Sequence, residues 1–259
     1  RHLVQGHTDD LVFPHKEAPE NIFLEGSIIG KYGSFTDFLD AFPKYFAGYM
    51  PAYYLQQPEH ISVLEDERQR DFFLAKMMYM LLVKRLESSW ASFYTTVEKV
   101  HNHHQDALNK VKRYLKNGTS EDVNTTLTDL YDDENEWMPE DMALGKRRIP
   151  VADIEAAGNL NRYKKHLETD LRNLRALQES LAFFEKQVTQ EDGREAAKKS
   201  RDEKLTRLME LIRRKRRSGS NRGNPKVLVF TAYTDTANYL FDQLYKRGFR
   251  RLAVVTGTD

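Results

Sequence analysis

NPKVLVFTAYTDTANYLFDQLYKRGFRRLAVVTGTD, from Asn224 to Asp259, reads as strand, helix and strand. Lys226 to Thr231 (KVLVFT) is a nearly continuous apolar, β-branched run without alternation, the pattern of a strand buried on both faces of a parallel sheet. Thr234 or Asp235 offers a helix N-cap, and Ala237, Leu240, Phe241, Leu244 and Tyr245 repeat at helical spacing until Gly248 ends the segment. Arg251 to Val255 (RLAVV) then reads as a second buried strand. A strand, a crossover helix and a parallel strand make one right-handed βαβ unit. Two strands alone are too few for a stable doubly wound sheet, so the remaining strands are expected outside this sequence.

Upstream, the pattern is helical. Leu82, Leu86, Trp90, Phe93, Val97, Val100, His104, Ala107, Val111 and Tyr114 step by threes and fours within a breaker-poor stretch, Asp66 to Lys116. One helix over that seam would run about 50 Å, which requires a partner helix. Leu160, Tyr163, Leu167, Leu171, Leu174, Leu177, Leu181, Phe184 and Val188 form a matching seam, placed to run antiparallel to the first with Trp90 and Phe93 toward Leu177, Leu181 or Phe184. Between them, Asn117 to Gly158 reads as a long tip, acidic in its first half, where Asp132, Asp133 and Glu134 fall, and basic at Lys146 to Arg148. Its acidic half would repel a phosphate backbone and suits solvent or a protein partner. Before the first seam, Pro14, Pro19, Pro43, Pro51 and Pro58 break an aromatic-rich connector, leaving helix only around Phe35 to Tyr49. After the second seam, Leu205 to Ile212 resumes helical periodicity and runs into the basic linker RRKRRSGSNRGNP, from Arg213 to Pro225.

Composition narrows the function classes. Forty basic residues stand against 39 acidic ones, which argues against a wholly basic nucleic-acid coat protein while leaving local phosphate-binding patches open. The absence of cysteine rules out disulfides, thiolate zinc sites and cysteine nucleophiles, and suits a reducing cytoplasm. No apolar run reaches the roughly 18 to 20 residues of a membrane span, and RHLVQGHTDD lacks the build of a secretion signal. Starting without Met and stopping after a second strand, the sequence reads as a fragment of a larger protein.

Several sites fail on spacing. Gly26 to Lys31 (GSIIGK) is one residue short of a phosphate loop and is followed by Tyr32 where a hydroxyl residue is needed, so a turn fits better. No D-E-x-H tetrad and no Q-x-x-G-R-x-x-R motif is present. Asp132, Asp133, Glu134 and Glu136 lack the glycine and spacing of a calcium loop. In the histidine cluster only His101 and His104 share a helix face, without the Glu of H-E-x-x-H, which points to packing or surface. A dinucleotide fold is excluded by the turn after Thr231, AYTDT, which has no G-x-G-x-x-G. No metal-binding set emerges.

Three stretches carry a family resemblance. PKVLVFTAYTDTANYLFDQLYKRGFRRLAVVTG resembles the opening of the second RecA-like lobe of superfamily-two helicases of the Swi/Snf type, where a "VLVFtqYtdTadyL" stretch precedes a "vTG" turn. DEKLTRLMELI, Asp202 to Ile212, resembles the "D-x-K-L-x-x-L" helix leading into that lobe. LLVKRLESSWASF, Leu81 to Phe93, resembles the "LLKRLESS" signature of bacterial relatives with a large helical insertion after the first lobe. The resemblance covers most of Leu55 to Asp259. It implies a mainly α fold with a truncated α/β element: a connector over 1–57, a helical insertion over 58–200, a helix and basic linker over 201–223, and the start of a RecA-like lobe over 224–259.

The same resemblance implies a fragment of an ATP-dependent DNA translocase, with RNA left open as substrate, and with ATP and magnesium held between two lobes of the parent enzyme. This fragment would hold no cofactor, contain no catalytic residue and hydrolyse no ATP by itself. Thr231, Tyr233, Thr234 and Asp235, with Thr256 and Gly257 after the next strand, lie where open α/β sheets place ligands, and in the family these turns touch the sugar-phosphate backbone. Arg213, Arg214, Arg216 and Arg217 add positive charge in the linker. Lys84 and Arg85 either face nucleic acid where the insertion joins the lobes or make local pairs in helix packing. The rival expectation is a helical interaction module that docks a protein partner through its hairpin and acidic tip.

Overall fold

The computed structural model describes residues 32, 34–55, 64–124, 148–190, 201–217 and 224–256, with 18 and 21. The readings at Gly26 to Lys31, at the acidic tip with Asp132, Asp133 and Glu134, and at Gly257 lie outside these residues. Among the described residues the chain is mainly helical, with one two-stranded antiparallel sheet. The helices are α1 (Phe35–Asp40), α2 (Leu64–Ser88), α3 (Trp90–Asn117), α4 (Val151–Ala156), α5 (Leu160–Thr189), α6 (Glu203–Arg217) and α7 (Thr234–Lys246). None of them is long and apolar enough to cross a membrane.

The two seams form the core. Every residue of the second seam is buried, as is every residue of the first except Tyr114. The pairing of α3 with α5 is antiparallel, because Trp90 meets Phe184 edge-on at 5.5 Å between ring centroids, His104 Nε2 lies 3.5 Å from Asp170 Oδ2, and Arg175 Nη2 donates to Gln105 Oε1 at 3.0 Å. Phe93 shares a buried cluster with Leu177 and Leu181.

The expectation of one helix over the seam from Leu82 to Tyr114 is corrected at Ser89. That residue is extended (φ −160°, ψ 155°), and its Oγ accepts the N–H of Ser92 at 3.1 Å, so it ends α2 and caps α3. A serine outside the helix satisfies an N–H that an uncapped helix start would leave without a partner. At the other end of α3, Gly118 takes a left-handed conformation (φ 74°) and its N–H reaches the Tyr114 carbonyl at 2.8 Å. The base of the tip is also more ordered than a loop: β1 (Asp122–Asn124) pairs with β2 (Arg148–Pro150), with Val123 opposite Ile149, and α4 follows directly.

The two strands expected in the last segment do not form. Residues 224–230 and 251–256 form no strand and have no ladder partners, and Leu228, Phe230 and Val255 are 82%, 90% and 83% exposed. The physical reason is that a strand patterned for burial on both faces needs a neighbour on each edge and a layer on each face. Neither segment finds one among the described residues. The intervening crossover helix α7 does form and packs on α6 through Leu205, Met209, Ile212, Leu244 and Phe249.

The connector between residues 42 and 55 is fastened to the helix pair by polar contacts. Asp170, fully buried on α5, accepts the N–H groups of Lys44 and Tyr45 on Oδ1 at 2.9 and 3.0 Å and that of Ala47 on Oδ2 at 3.0 Å. These bonds hold Phe46 at φ 46°, a left-handed conformation that costs a non-glycine residue about 1 kcal/mol or more. His103 Nε2 donates to the Gly48 carbonyl at 2.9 Å and its ring stacks on Tyr49 at 4.0 Å. A Cβ at Gly48 would come within 3.1 Å of the rings of His103 and His104, so a larger residue would require those rings to shift by a few tenths of an ångström.

Farther along, the Tyr54 hydroxyl shares a 2.7 Å hydrogen bond with Nδ1 of His166, whose ring stacks on Tyr45 at 3.7 Å. Burial holds His166 below the usual imidazole range, with Arg162 adding to the effect. A histidine depressed in the folded state binds a proton more readily when unfolded, so it opposes folding as pH falls below about 6.5. Urea unfolding at pH 7.5 and 5.5 should therefore give a smaller acid-side loss for His166→Gln than for the native chain, by about 0.5 kcal/mol or less at this half-buried site. An unchanged difference between the two pH values would refute the assignment.

Candidate nucleic-acid interface

The break between α2 and α3 is where distant segments meet. Lys204, at the start of α6, donates its Nζ to the carbonyl of Glu87 and lies 3.5 Å from that of Ser88. Those carbonyls end α2, where partial negative charge collects, so an ammonium is well placed there. Partial burial lowers the pKa of Lys204, with Asp202 and Glu87 opposing that shift. From α7, Thr236 Oγ1 bonds both Ser88 Oγ at 2.7 Å and Ser89 Oγ at 2.8 Å. The serine pair thus serves as the cap of α3 and as the anchor of α7.

Beside it, Trp90 donates its indole N–H to the Tyr239 hydroxyl at 2.8 Å, and that hydroxyl donates to Asp202 Oδ2 at 2.6 Å. The other carboxylate oxygen of Asp202 accepts the Leu205 N–H at 3.1 Å and so caps α6. Burial, followed by the charge of Asp202 and their hydrogen bond, raises the Tyr239 phenol far above its usual range, which keeps it a proton donor at any physiological pH. A second tie lies one turn further along α7, where Arg247 bonds the Gln243 side chain and reaches the Val188 carbonyl at 3.4 Å near the end of α5.

Arg85 completes the cluster. It is 1% exposed, donates to Ser92 Oγ at 3.3 Å, lies 3.6 Å from Asp235 Oδ2 and covers the Tyr233 ring at 3.9 Å. Arg85 thus faces the protein interior, with partners other than the Ser88 expected from sequence, while neighbouring Lys84 is exposed on α2. The cap of α7 also differs from expectation. Tyr233 is the N-cap, extended and without a side-chain cap bond, so Thr234 is the first helical residue and Asp235 lies in the first turn. Thr231 Oγ1 donates to the Tyr233 carbonyl at 3.0 Å, tightening the same turn.

The anticipated nucleic-acid residues therefore fall into two groups. Thr231, Tyr233, Thr234 and Asp235 form one turn, clasped from below by Arg85. Arg213, Arg214, Arg216 and Arg217 lie at the far end of α6, about 15 to 20 Å along the helix from its start at the cluster. There Arg213 covers the Phe249 ring at 5.3 Å, and Arg214, Arg216 and Arg217 are exposed. Thr256 is half-buried at the end of the last described stretch.

Asp202, Trp90, Thr236 and Tyr239 were not singled out as site residues by sequence. The signal was present, since each lies within one of the three resembling stretches, but nothing in a linear pattern says that those stretches touch. No family model, no curated protein and no solved structure matches this chain.

Proposed function

We propose that this chain supplies the helical insertion and the nucleic-acid-tracking turns of an ATP-dependent Swi/Snf-type DNA translocase. One observation carries the reading. KRLESSW, DEKL and AYTDTANYL, the three stretches on which the family resemblance rests, converge in one buried hydrogen-bonded cluster built on Arg85, Ser88, Ser89, Trp90, Asp202, Lys204, Tyr233, Asp235, Thr236 and Tyr239. The bonds from Ser88 and Trp90 to α7 join stretches that lie more than a hundred positions apart. The exposed apolar runs at 227–230 and 251–255 suit the same reading, as strands that further strands of a RecA-like lobe would cover.

In this reading ATP and magnesium are handled elsewhere in the parent enzyme. This chain's part is mechanical. The turn at Thr231 to Asp235 rests on α2 and α3 through Arg85 and the serine pair, so a displacement of the turn on nucleic acid is passed to the long helices. Contact with DNA is through the backbone and carries no sequence preference.

The test is binding of labelled DNA by the full 259-residue chain across 25–200 mM salt, with ATP hydrolysis measured in parallel. Weak, sequence-independent binding without ATP turnover is expected. Replacing Arg213, Arg214, Arg216 and Arg217 together with Ser should weaken binding equally on unrelated sequences and flatten the log–log salt slope by about 3 to 4, at about 0.9 per phosphate released on duplex DNA. Changing Asp132, Asp133 and Glu134 to Ser should leave binding no weaker. Retention of full affinity by the arginine variant would remove this basic run, which forms the last turn of α6 rather than the linker expected from sequence, from the interface. A chain that ignores DNA at 25 mM salt would count against the translocase reading and favour a helical module that docks a protein.

A further inference from the structure

We infer that the turn after α7, at Arg250 and Arg251, forms a second strip of phosphate-binding surface continuous with the basic end of α6, and that its ligand is the DNA backbone. The inference rests on the nucleic-acid reading above and adds residues that the sequence pattern does not distinguish. Phe249 is the bridge: it is buried against α6, with the Arg213 guanidinium over its ring. The two residues that follow it in the chain are both exposed arginines.

Their geometry is set before any ligand arrives. Arg250 Nη1 donates to the carbonyls of Tyr245 at 2.8 Å and Phe249 at 3.1 Å, and the guanidinium covers the Tyr245 ring at 4.7 Å. Tyr245 is 55% exposed and stacks in turn on Phe241, with centroids 6.4 Å apart and planes within 10°. A guanidinium fixed through one nitrogen by two carbonyls keeps its other donors for a ligand. Arg251 stands next to it in a left-handed conformation (φ 62°), unusual for a non-glycine residue. Among the described residues no carboxylate pairs with Arg216, Arg217, Arg250 or Arg251.

Chemistry selects the partner. The strip is made of arginines, whose planar forks match phosphate oxygens two at a time. Beside it Tyr245 is 55% exposed, and its hydroxyl adds a donor for a phosphate oxygen. The strip runs on from the basic end of α6, so the ligand proposed for it is the one proposed for that end, and an acidic peptide, which would satisfy the same charges, is the alternative that the test separates.

The test compares Arg250→Ser/Arg251→Ser with the native chain and with a control pair, Lys112→Ser/Lys116→Ser, on exposed positions of α3. Binding to labelled duplex and single-stranded 30-mers is measured from 25 to 200 mM salt. The arginine pair should lose about tenfold in affinity for duplex at 50 mM salt and flatten its slope by about 1.8, with a smaller change, about 1.4, on single strands. The control pair should change affinity less than about twofold, and Arg250→Lys/Arg251→Lys, which keeps the charges, should stay within about threefold of native.

Three outcomes would overturn the strip. One is a serine pair that binds like the control while the native chain binds DNA, which would leave the α6 arginines and the translocase reading standing. Another is a serine pair whose loss of affinity is the same at 200 mM as at 50 mM salt, at unchanged helical circular dichroism, which would exclude phosphate contacts as its cause. The third is competition by poly-glutamate as effective as that by unlabelled DNA. Absence of DNA binding by the native chain at 25 mM salt would remove both the strip and the reading beneath it.

Discussion

Replacing Asp170 with Ala should remove most of the stability of the helical part of this protein. The carboxylate is fully buried, accepts three backbone N–H groups from Lys44, Tyr45 and Ala47, and stands 3.5 Å from the buried imidazole of His104. The buried N–H of Ala47 costs about 1–3 kcal/mol when left without an acceptor, and those of the exposed residues Lys44 and Tyr45, which water can reach, about 0.5–1.5 kcal/mol each, so the three together cost about 2–6 kcal/mol. That is a large part of the roughly 5–15 kcal/mol typical of a domain. Without these bonds the left-handed backbone at Phe46 is opposed only by the packing of Phe46 and the His103–Gly48 tie, and the connector should leave the helices before they separate. Asp170→Asn keeps one oxygen for two of the three donors but turns an amide N–H₂ toward the third, so about half the loss is expected. Urea denaturation measures the energies, and limited proteolysis between residues 42 and 55 locates the opening. A loss below about 1 kcal/mol for the Ala variant, with the connector still protected, would show that the backbone there is held by packing alone.

The position of Asp170 also shows how far periodicity reads. The seam Leu167, Leu171, Leu174 passes through it at spacings of three and four, so the pattern already placed a carboxylate on the buried face of a helix. Such a residue must have donors, and the connector supplies them. Arg85 follows the same logic, one position from Leu86 and three from Leu82 on the buried side of α2. The helices were legible because burial of a stripe is a local property of a helix. Ser89 was not, because a serine in an otherwise helical stretch becomes a cap only when something draws the chain away from the axis. Here Thr236, Lys204 and Asp235 approach from segments more than a hundred residues later.

The last segment failed for the opposite reason. KVLVFT and RLAVV describe an environment, a sheet interior, rather than a local conformation, and that environment has to come from other strands. The crossover helix between them carries its own periodicity and a packing partner in α6, and it formed. The candidate interface divides in the same way. The basic run at Arg213 to Arg217 is visible in composition, whereas Arg250 and Arg251 become part of the same surface only through the packing of Phe249 beneath Arg213.

The second large effect is expected at the pair formed by Arg85 and Asp235, and it tests whether the long helices and the turn before α7 act as one body. Arg85 is 1% exposed, whereas the Asp235 side chain is 24% exposed. Removing the carboxylate leaves a guanidinium in the interior with less compensation, and water cannot enter to replace it. Removing the arginine leaves a carboxylate whose Oδ2 is buried but whose side chain is 24% exposed, so water reaches part of it. Asp235→Ala should therefore destabilise by about 2–4 kcal/mol, and Arg85→Met, which keeps the volume of the stem, by about 1–2 kcal/mol. Once Met replaces the guanidinium, loss of the carboxylate should matter little, so the double variant should fall short of the sum of the singles by at least ~1 kcal/mol. Additivity within about 0.5 kcal/mol would mean that the two residues merely lie close, and that the turn is fastened by the serine pair and Thr236 instead. Coupling of the expected size has a functional corollary. With the pair coupled, a displacement of the turn at Tyr233 and Asp235 is passed to the end of α2 through Arg85, and amide exchange at the start of α7 and at the end of α2 should change together when the turn is loaded.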